Sequence, residues 1–441
     1  MASRARAADA AGVRVGGSAN AAAVCIALLG ACSVRKGPAP DAAAAPAPIA
    51  PAAATATATP TPTATPTAAP APDAAPPAKE PGHDFIDDAR RLYRVAACGG
   101  EGPLPPELAA LQAVTDAHCK HVLPQLAAYR ARYFETARRW FEAKAPPELP
   151  PTAVYAFAGG DLISALVAFP RAAEITTISL ELAGDPRALP SLSPAEVERE
   201  LAELRREIGL LISVGSNTSV LLQAQQQNRL PGQIASFLLG LHAGGYEPVS
   251  MRFFRLDDAG QVRYLEQAEI DADTRTTRSL RGDWKAPAFA EVFRHVELRF
   301  VRPGDPAVRV HRHLAWNVDN TQLAAHPQLL RHLEAKGKVA LLVKGGSYLL
   351  WFDAFSTFRA YLLDHLAWMI SDSTGIAPNH ARGVVQEAYG KYRGPVVANV
   401  VGKREDLAAQ ALWKSPRGPM PFRFGYLDRE GGAHVMLTRP R

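Results

Sequence analysis

The chain has 441 residues and a formal net charge of +6, with 21% charged and 47% hydrophobic residues. Removing residues 1–31, which hold three arginines and one aspartate, leaves +4. So mild a balance, without a basic cluster, argues against nucleic acid as a partner. About 360 residues follow position 82, enough for one large domain or two ordinary ones.

The first elements in chain order serve export. Arg4, Arg6 and Arg14 precede an apolar run from Ala21 to Gly30, too short for a mature spanning helix, which needs ~20 residues. A basic start, a short apolar stretch and small residues before a cleavage point make a secretory signal. Leu29-Gly30-Ala31-Cys32 resembles the lipobox of bacterial lipoproteins, a likeness confined to the N-terminal thirty or so residues. The resemblance implies cleavage before Cys32 and acylation of its thiol. Two or three acyl chains would anchor the chain stably, so the lipid bilayer is an expected partner. Ser33 stands where lipoproteins of the inner membrane usually carry Asp, which by the same resemblance implies the outer membrane. A plain signal peptide is the alternative.

Residues 37–81 are almost entirely Ala, Pro and Thr. They offer nothing with which to build a core, and the prolines favour extended polyproline II. At ~3.1 Å per residue such a stalk would hold the body on the order of 100 Å from the bilayer. The domain plan is thus a signal peptide (1–31), a lipidated cysteine with a disordered stalk (32–82), a helical region (83–148) and an α/β body (149–441). Of the four cysteines, only Cys98 and Cys119 remain for the mature fold. An exported location predicts a disulfide between them, worth about 3 kcal/mol for a loop of this size; two buried thiols are the alternative.

In the helical region, helices are predicted over 84–95 and from Pro105-Pro106 to near Cys119. A third carries Val122, Leu126, Tyr129, Tyr133, Ala137 and Trp140 at helical spacing, a stripe read as core. The body opens with a strand over 153–158, a Gly159-Gly160 turn, a short helix from Asp161 to Phe169 and a strand over 175–182. This is a β-α-β unit with parallel strands. Ser193-Pro194-Ala195-Glu196 is a capping box that opens a helix stopped by Gly215. Hairpins about 257–260 and 302–306 follow, then a helix over 321–336 and an interior strand over 339–343. A buried helix over 356–370 and a last strand pair about Glu430-Gly431-Gly432 complete the chain. The fold class is α/β: a mixed sheet with flanking helices, one β-α-β unit and several hairpins, preceded by an N-terminal helical region.

Three places invite chemistry. Gly159, Gly160 and Asp161 stand at the turn of the β-α-β unit, where an open α/β sheet binds ligands. Glu181, near the end of the second strand, lies where nucleotide-binding and methyltransferase folds often place a ribose-binding acid. The G-x-G-x-x-G fingerprint is absent, and a tight turn with Asp161 as helix cap explains the same residues. Asp372, after the helix over 356–370, is a third candidate carboxylate; the bland alternative is a helix end capped by Gly375. In the 302–306 hairpin, pairing Val301 with Ala307 would set Glu297 opposite His311 and His295 opposite His313. That would put a possible zinc or copper set on one face, and a solvated sheet face is the alternative.

There is no G-x-S-x-G, H-E-x-x-H, P-loop or S-x-x-K, and no cofactor is signalled. The expected protein is an outer-membrane-anchored lipoprotein acting as a non-enzymatic binding or interaction module, with the cell wall or an envelope protein as partner. The alternative is a cofactor-independent enzyme, such as a hydrolase, using Asp161, Glu181 and Asp372.

Overall fold

The computed structural model describes residues 81–214, 230, 232–277, 289–392, 403–424 and 433–441, all within the unit Pro77–Arg441. Cys32, the stalk up to residue 80, Gly215 and the 430–432 turn lie outside the described residues.

Helix α1 (Ile86–Val95) leads to a 3₁₀ turn (Pro106–Leu111), α2 (Gln112–Tyr129), a π-turn (Arg130–Phe134) and α3 (Glu135–Lys144). The sequence predicts a break near Cys119, but α2 runs through it, because Cys119-Lys120-His121-Val122 contains neither glycine nor proline to stop it. Cys98 and Cys119 are joined in a disulfide, with Cα atoms 5.4 Å apart, which ties the end of α1 to α2.

Strand β1 (Thr152–Ala156), α4 (Leu162–Ala168) and β2 (Glu174–Ser179) form the parallel β-α-β unit. The second strand ends before Leu182 because the Ala183 and Gly184 amides bond to the Arg294 and Phe293 carbonyls instead. The capping box is formed at α5 (Pro194–Val214): Ser193 N donates to the Glu196 carboxylate at 2.8 Å and Glu196 N to Ser193 Oγ at 3.3 Å. Next come α6 (Gly232–Gly244), β3 (Glu247–Leu256), β4 (Val262–Tyr264), α7 (Gln267–Ala272) and the two-residue strands β5 (Thr276–Thr277) and β6 (Phe289–Ala290). They are followed by β7 (His295–Arg302), β8 (Asp305–Ala315), α8 (Asn320–Ala325) and α9 (Gln328–Glu334). Pro327 divides the helix predicted over 321–336 into the last two.

The chain continues through β9 (Val339–Val343), a 3₁₀ turn (Ser347–Trp351), α10 (Ser356–His365), β10 (Leu366–Ser371), β11 (Val384–Gly390), α11 (Lys403–Leu412) and β12 (His434–Pro440). Here the predicted helix over 356–370 is corrected: it stops at His365, and Leu366 to Ser371 form a strand. An apolar run of this length fits either state; pairing with β9 on one side and β12 on the other decides it. His365, the last residue of that helix, is only half-buried and bonds to the Gly337 carbonyl at 2.8 Å. β12 pairs with β10 and β11, both earlier in the chain.

Ten strands make one sheet in the order β11-β12-β10-β9-β1-β2-β8-β7-β3-β4. The five central strands from β10 to β8 are mutually parallel. Taken by position in the chain they read 3-2-1-4-5 from β8 to β10, and the order reverses between β1 and β9. That is the doubly wound arrangement with its switch point. Helices α1–α6 pack over the face that carries Tyr155, Leu342 and Ile370, whereas α8–α10 cover the face of Val154, Leu341 and Met369. Each fully buried side chain of this size contributes roughly 1.5–3 kcal/mol, and the N-terminal helices share one apolar cluster with the sheet.

Candidate functional site

Three loops leave the C-terminal ends of β1, β9 and β10: 157–161, 344–347 and 372–375. Phe157 has φ of 58°, a left-handed conformation rare for a non-glycine residue, and Gly345 has φ of 79°. A Cβ on Gly346 would lie 2.6 Å from Cβ of Phe157, so only glycine allows the first two loops to meet across the switch point.

Lys344, directly after an all-buried strand, turns into this junction. Its side chain is 1% exposed; the Nζ donates to Ser164 Oγ at 2.7 Å and stands 3.4 Å from Asp161 Oδ2. Asp161 also accepts from the Tyr155 hydroxyl at 2.9 Å and, through Oδ1, from Ser164 N at 3.2 Å, so it caps α4. Burial pulls the Lys344 amine below its ordinary pKa, with Asp161 and then Asp372 opposing that pull. Burial and the Asp161 charge raise the Tyr155 phenol well above its usual value. Phe424 closes the junction, with Lys344 Nζ 4.9 Å from its ring centre.

Asp372 is fully buried. Its carboxylate accepts from Gly345 N at 2.9 Å, from Thr374 N at 3.0 Å, from Thr374 Oγ1 at 2.6 Å and from Ser347 Oγ. It therefore ties the β10 loop to the β9 loop. Asp161 and Asp372 both act on Lys344, but neither carboxylate opens to solvent. Glu181 belongs to another group. It is 2% exposed, and its backbone carbonyl accepts from His313 Nε2 at 2.7 Å. Gly159 and Gly160 form the turn that sets Asp161 at the start of α4.

The hairpin register corrects the metal expectation. β7 and β8 turn tightly with Arg302 paired to Asp305, and an irregularity between Phe300 and Arg302 shifts the pairing, so that Val296 faces His313, Glu297 faces Arg312 and Leu298 faces His311. This is one residue from the predicted register, and a one-residue slip moves side chains to the opposite face. His311 and His313 consequently lie under α6 beside Phe237, while His295 and Glu297 lie on the other side of the sheet. Among the described residues, no group of three or more His, Cys, Asp or Glu side chains is placed to hold a metal.

Sequence reasoning named neither Lys344-Gly345-Gly346 nor Ser347 as part of a site. Both are part of the junction. The signal was the likeness between Ala-Gly-Gly-Asp after β1 and Val-Lys-Gly-Gly-Ser after β9: two apolar strands each ending in a glycine pair and a polar side chain. Tyr155 was hidden as one more apolar strand residue.

No protein-family model, no curated protein and no solved structure matches the chain.

Proposed function

We propose that the chain is an outer-membrane-anchored envelope lipoprotein whose doubly wound body is a binding module rather than a catalyst, presented to its partner by a proline-rich stalk. The observation that carries this reading is the junction between β1 and β9. Where a doubly wound sheet would admit a nucleotide or substrate, the Lys344 ammonium bonds to Asp161 and Ser164 beneath Phe424. The carboxylates offered as catalysts serve as acceptors: Asp161 for a helix cap and an ion pair, Asp372 for two loops. A general acid or base must instead reach a substrate proton. The disulfide accords with an oxidising compartment.

The anchor is tested by Cys32→Ala, which should move the protein from the membrane fraction to the soluble one; continued attachment would refute it. The module is tested by cross-linking the full-length chain in envelope fractions. One stoichiometric partner, retained by Asp372→Asn, is the expected result. Turnover abolished by Asp161→Asn and Asp372→Asn in a folded protein would refute the module in favour of the hydrolase alternative.

A further inference from the structure

Tyr246, between α6 and β3, gathers two arginines near the N-terminal end of β2, away from the loops of the β1–β9 junction. Arg302 and Arg309, one from each strand of the β7–β8 hairpin, both donate to its hydroxyl, Arg302 through Nη2 at 3.1 Å. Both guanidinium groups lie over its ring, 4.8 and 5.1 Å from the centre. The tyrosine is itself held: it is buried, and its carbonyl accepts from the Tyr93 hydroxyl at 2.8 Å. Arg309 is fixed further, donating through Nε to the Ala172 carbonyl at 2.7 Å and through Nη2 to the Phe169 carbonyl at 3.4 Å. All of these acceptors are neutral.

Among the described residues neither Arg302 nor Arg309 forms an ion pair. The other arginines of β3, β4, β7 and β8 differ: Arg252, Arg255, Arg263, Arg299 and Arg312 each meet a carboxylate within 3.1 Å. Asp305 acts on Arg309 from a distance, but its carboxylate accepts from Ala307 N at 3.0 Å. Two like charges are therefore held together without a counter-charge. Arg130, over Gly245, and Arg138, which acts on Tyr246, lie on the same side, where Glu135 and Glu142 partly offset them. The place is open: Arg302 and the hairpin tip through Val308 are exposed, and four of the five Arg302 N–H groups have no acceptor among the described residues. A guanidinium fork fits the oxygens of an oxyanion. One carboxylate would match only one of the two charges, whereas a phosphate carries about −1.5 to −2 at neutral pH.

We propose that Arg302 and Arg309, held over Tyr246 beside the exposed tip of the β7–β8 hairpin, bind a phosphate group, Arg302 supplying the free donors and Arg309 the second charge. The site gives the binding module its ligand chemistry and rests on that reading.

The probe is inorganic phosphate, followed by ³¹P NMR titration of the full-length Cys32→Ala chain at low ionic strength, with acetate as competitor. Phosphate should bind, and Arg302→Gln should weaken it roughly tenfold or more with little change in Tm, since the position is exposed. Arg302→Lys keeps the charge but loses the fork, and should fall between the two. Arg309→Gln would also free the Ala172 and Phe169 carbonyls, so Arg302 is the deciding position. Sedimentation with phosphatidate vesicles separates two sources of the same group. Capture that Arg302→Gln abolishes assigns the phosphate to a lipid headgroup; binding of inorganic phosphate without capture assigns it to a soluble ligand. The site is overturned by no phosphate binding, by binding that Arg302→Gln leaves intact, or by equal displacement with acetate. An envelope partner still cross-linked after such a failure leaves the module standing. Turnover lost in Asp161→Asn, with phosphate binding intact, removes the module reading alone.

Discussion

The β7–β8 hairpin carries a polar cluster on each face, and the two obey opposite rules. On the side of α8–α10, Glu297 is 1% exposed and accepts from Arg312 Nε at 2.7 Å, Arg299 Nε at 2.8 Å and the Tyr264 hydroxyl at 2.7 Å. Arg312 continues to Glu174 at 2.8 Å, which also meets Lys336. On the side of α6, His311 and His313 are wholly buried and bridged by Thr177 Oγ1 at 2.9 and 3.1 Å. Glu297 and the two histidines are buried, whereas Glu174 and Arg299 at the edge of the first cluster stay partly exposed. The first stays ionised because each charge meets its opposite. Burial works against the Glu174 carboxylate, yet Lys336 and Arg312 hold its pKa below the ordinary range. The second stays neutral because burial pushes His313 down to about 4 and His311 well below its usual value. The lesson is that burial alone does not decide ionisation; the matching of charge does.

The largest effect should come from breaking the ionised face. Glu297→Gln removes the buried carboxylate that Arg299, Arg312 and the Tyr264 hydroxyl share, and should lower unfolding free energy by about 4 kcal/mol. Urea denaturation at neutral pH measures this, and added salt should change it little because the pair is shielded from solvent ions. A loss no larger than that of a surface ion pair would show the network to be dispensable.

Acid should break the neutral face next. The unfolded histidines take up protons near pH 6.5, whereas folded His313 waits until about 4 and burial holds His311 well below its usual value too. The unfolded chain therefore binds more protons in between, so stability is full above about pH 6.5 and falls as pH drops toward 4. The His313 share is on the order of 3 kcal/mol. Glu174, with its depressed pKa, contributes its own loss only as pH falls below the usual glutamate range, so the ionised face starts to fail at lower pH than the neutral one. His295, His118 and His332, also lowered by burial, add to the same fall. His313→Gln should flatten the slope between pH 6.5 and 4, and an unchanged slope would assign it to the other histidines.

The alternation in 296–300 and 308–310 made the hairpin readable from sequence, but the register was not. It depends on the turn over 302–305 together with the irregularity between Phe300 and Arg302, and a slip of one residue decides which face His311 occupies. Asp161 as a cap was legible because a glycine pair followed by Asp before an apolar run signals a helix start. Lys344 was not, since a lysine after a strand normally reaches solvent; only the parallel pairing of β1 with β9 brings it beneath α4. Leu366 to Ser371 were misread for a similar reason. Nothing local separates a buried strand from the continuation of a buried helix, and β9 and β12 supply the edges that settle it.

The smallest effect tests the direction of the hydrogen bonds on the neutral face. His313 Nε2 lies 2.7 Å from the Glu181 carbonyl, which can only accept, so the proton of that ring sits on Nε2 and Nδ1 is left as an acceptor. Thr177 must then donate to His313 Nδ1 and accept from His311 Nε2, which leaves the buried His311 Nδ1 bare. Both rings should accordingly be the Nε2–H tautomer, a pattern read directly from imidazole ¹⁵N shifts. Thr177→Val keeps the shape but removes the one hydroxyl that joins the rings, at an expected cost of about 1–2 kcal/mol. Thr177→Ser should recover most of it, because the serine hydroxyl reaches the same two nitrogens. If valine and serine proved equally stable, the chain would contribute only its packing, and the two faces of the hairpin would differ in charge but not in hydrogen bonding.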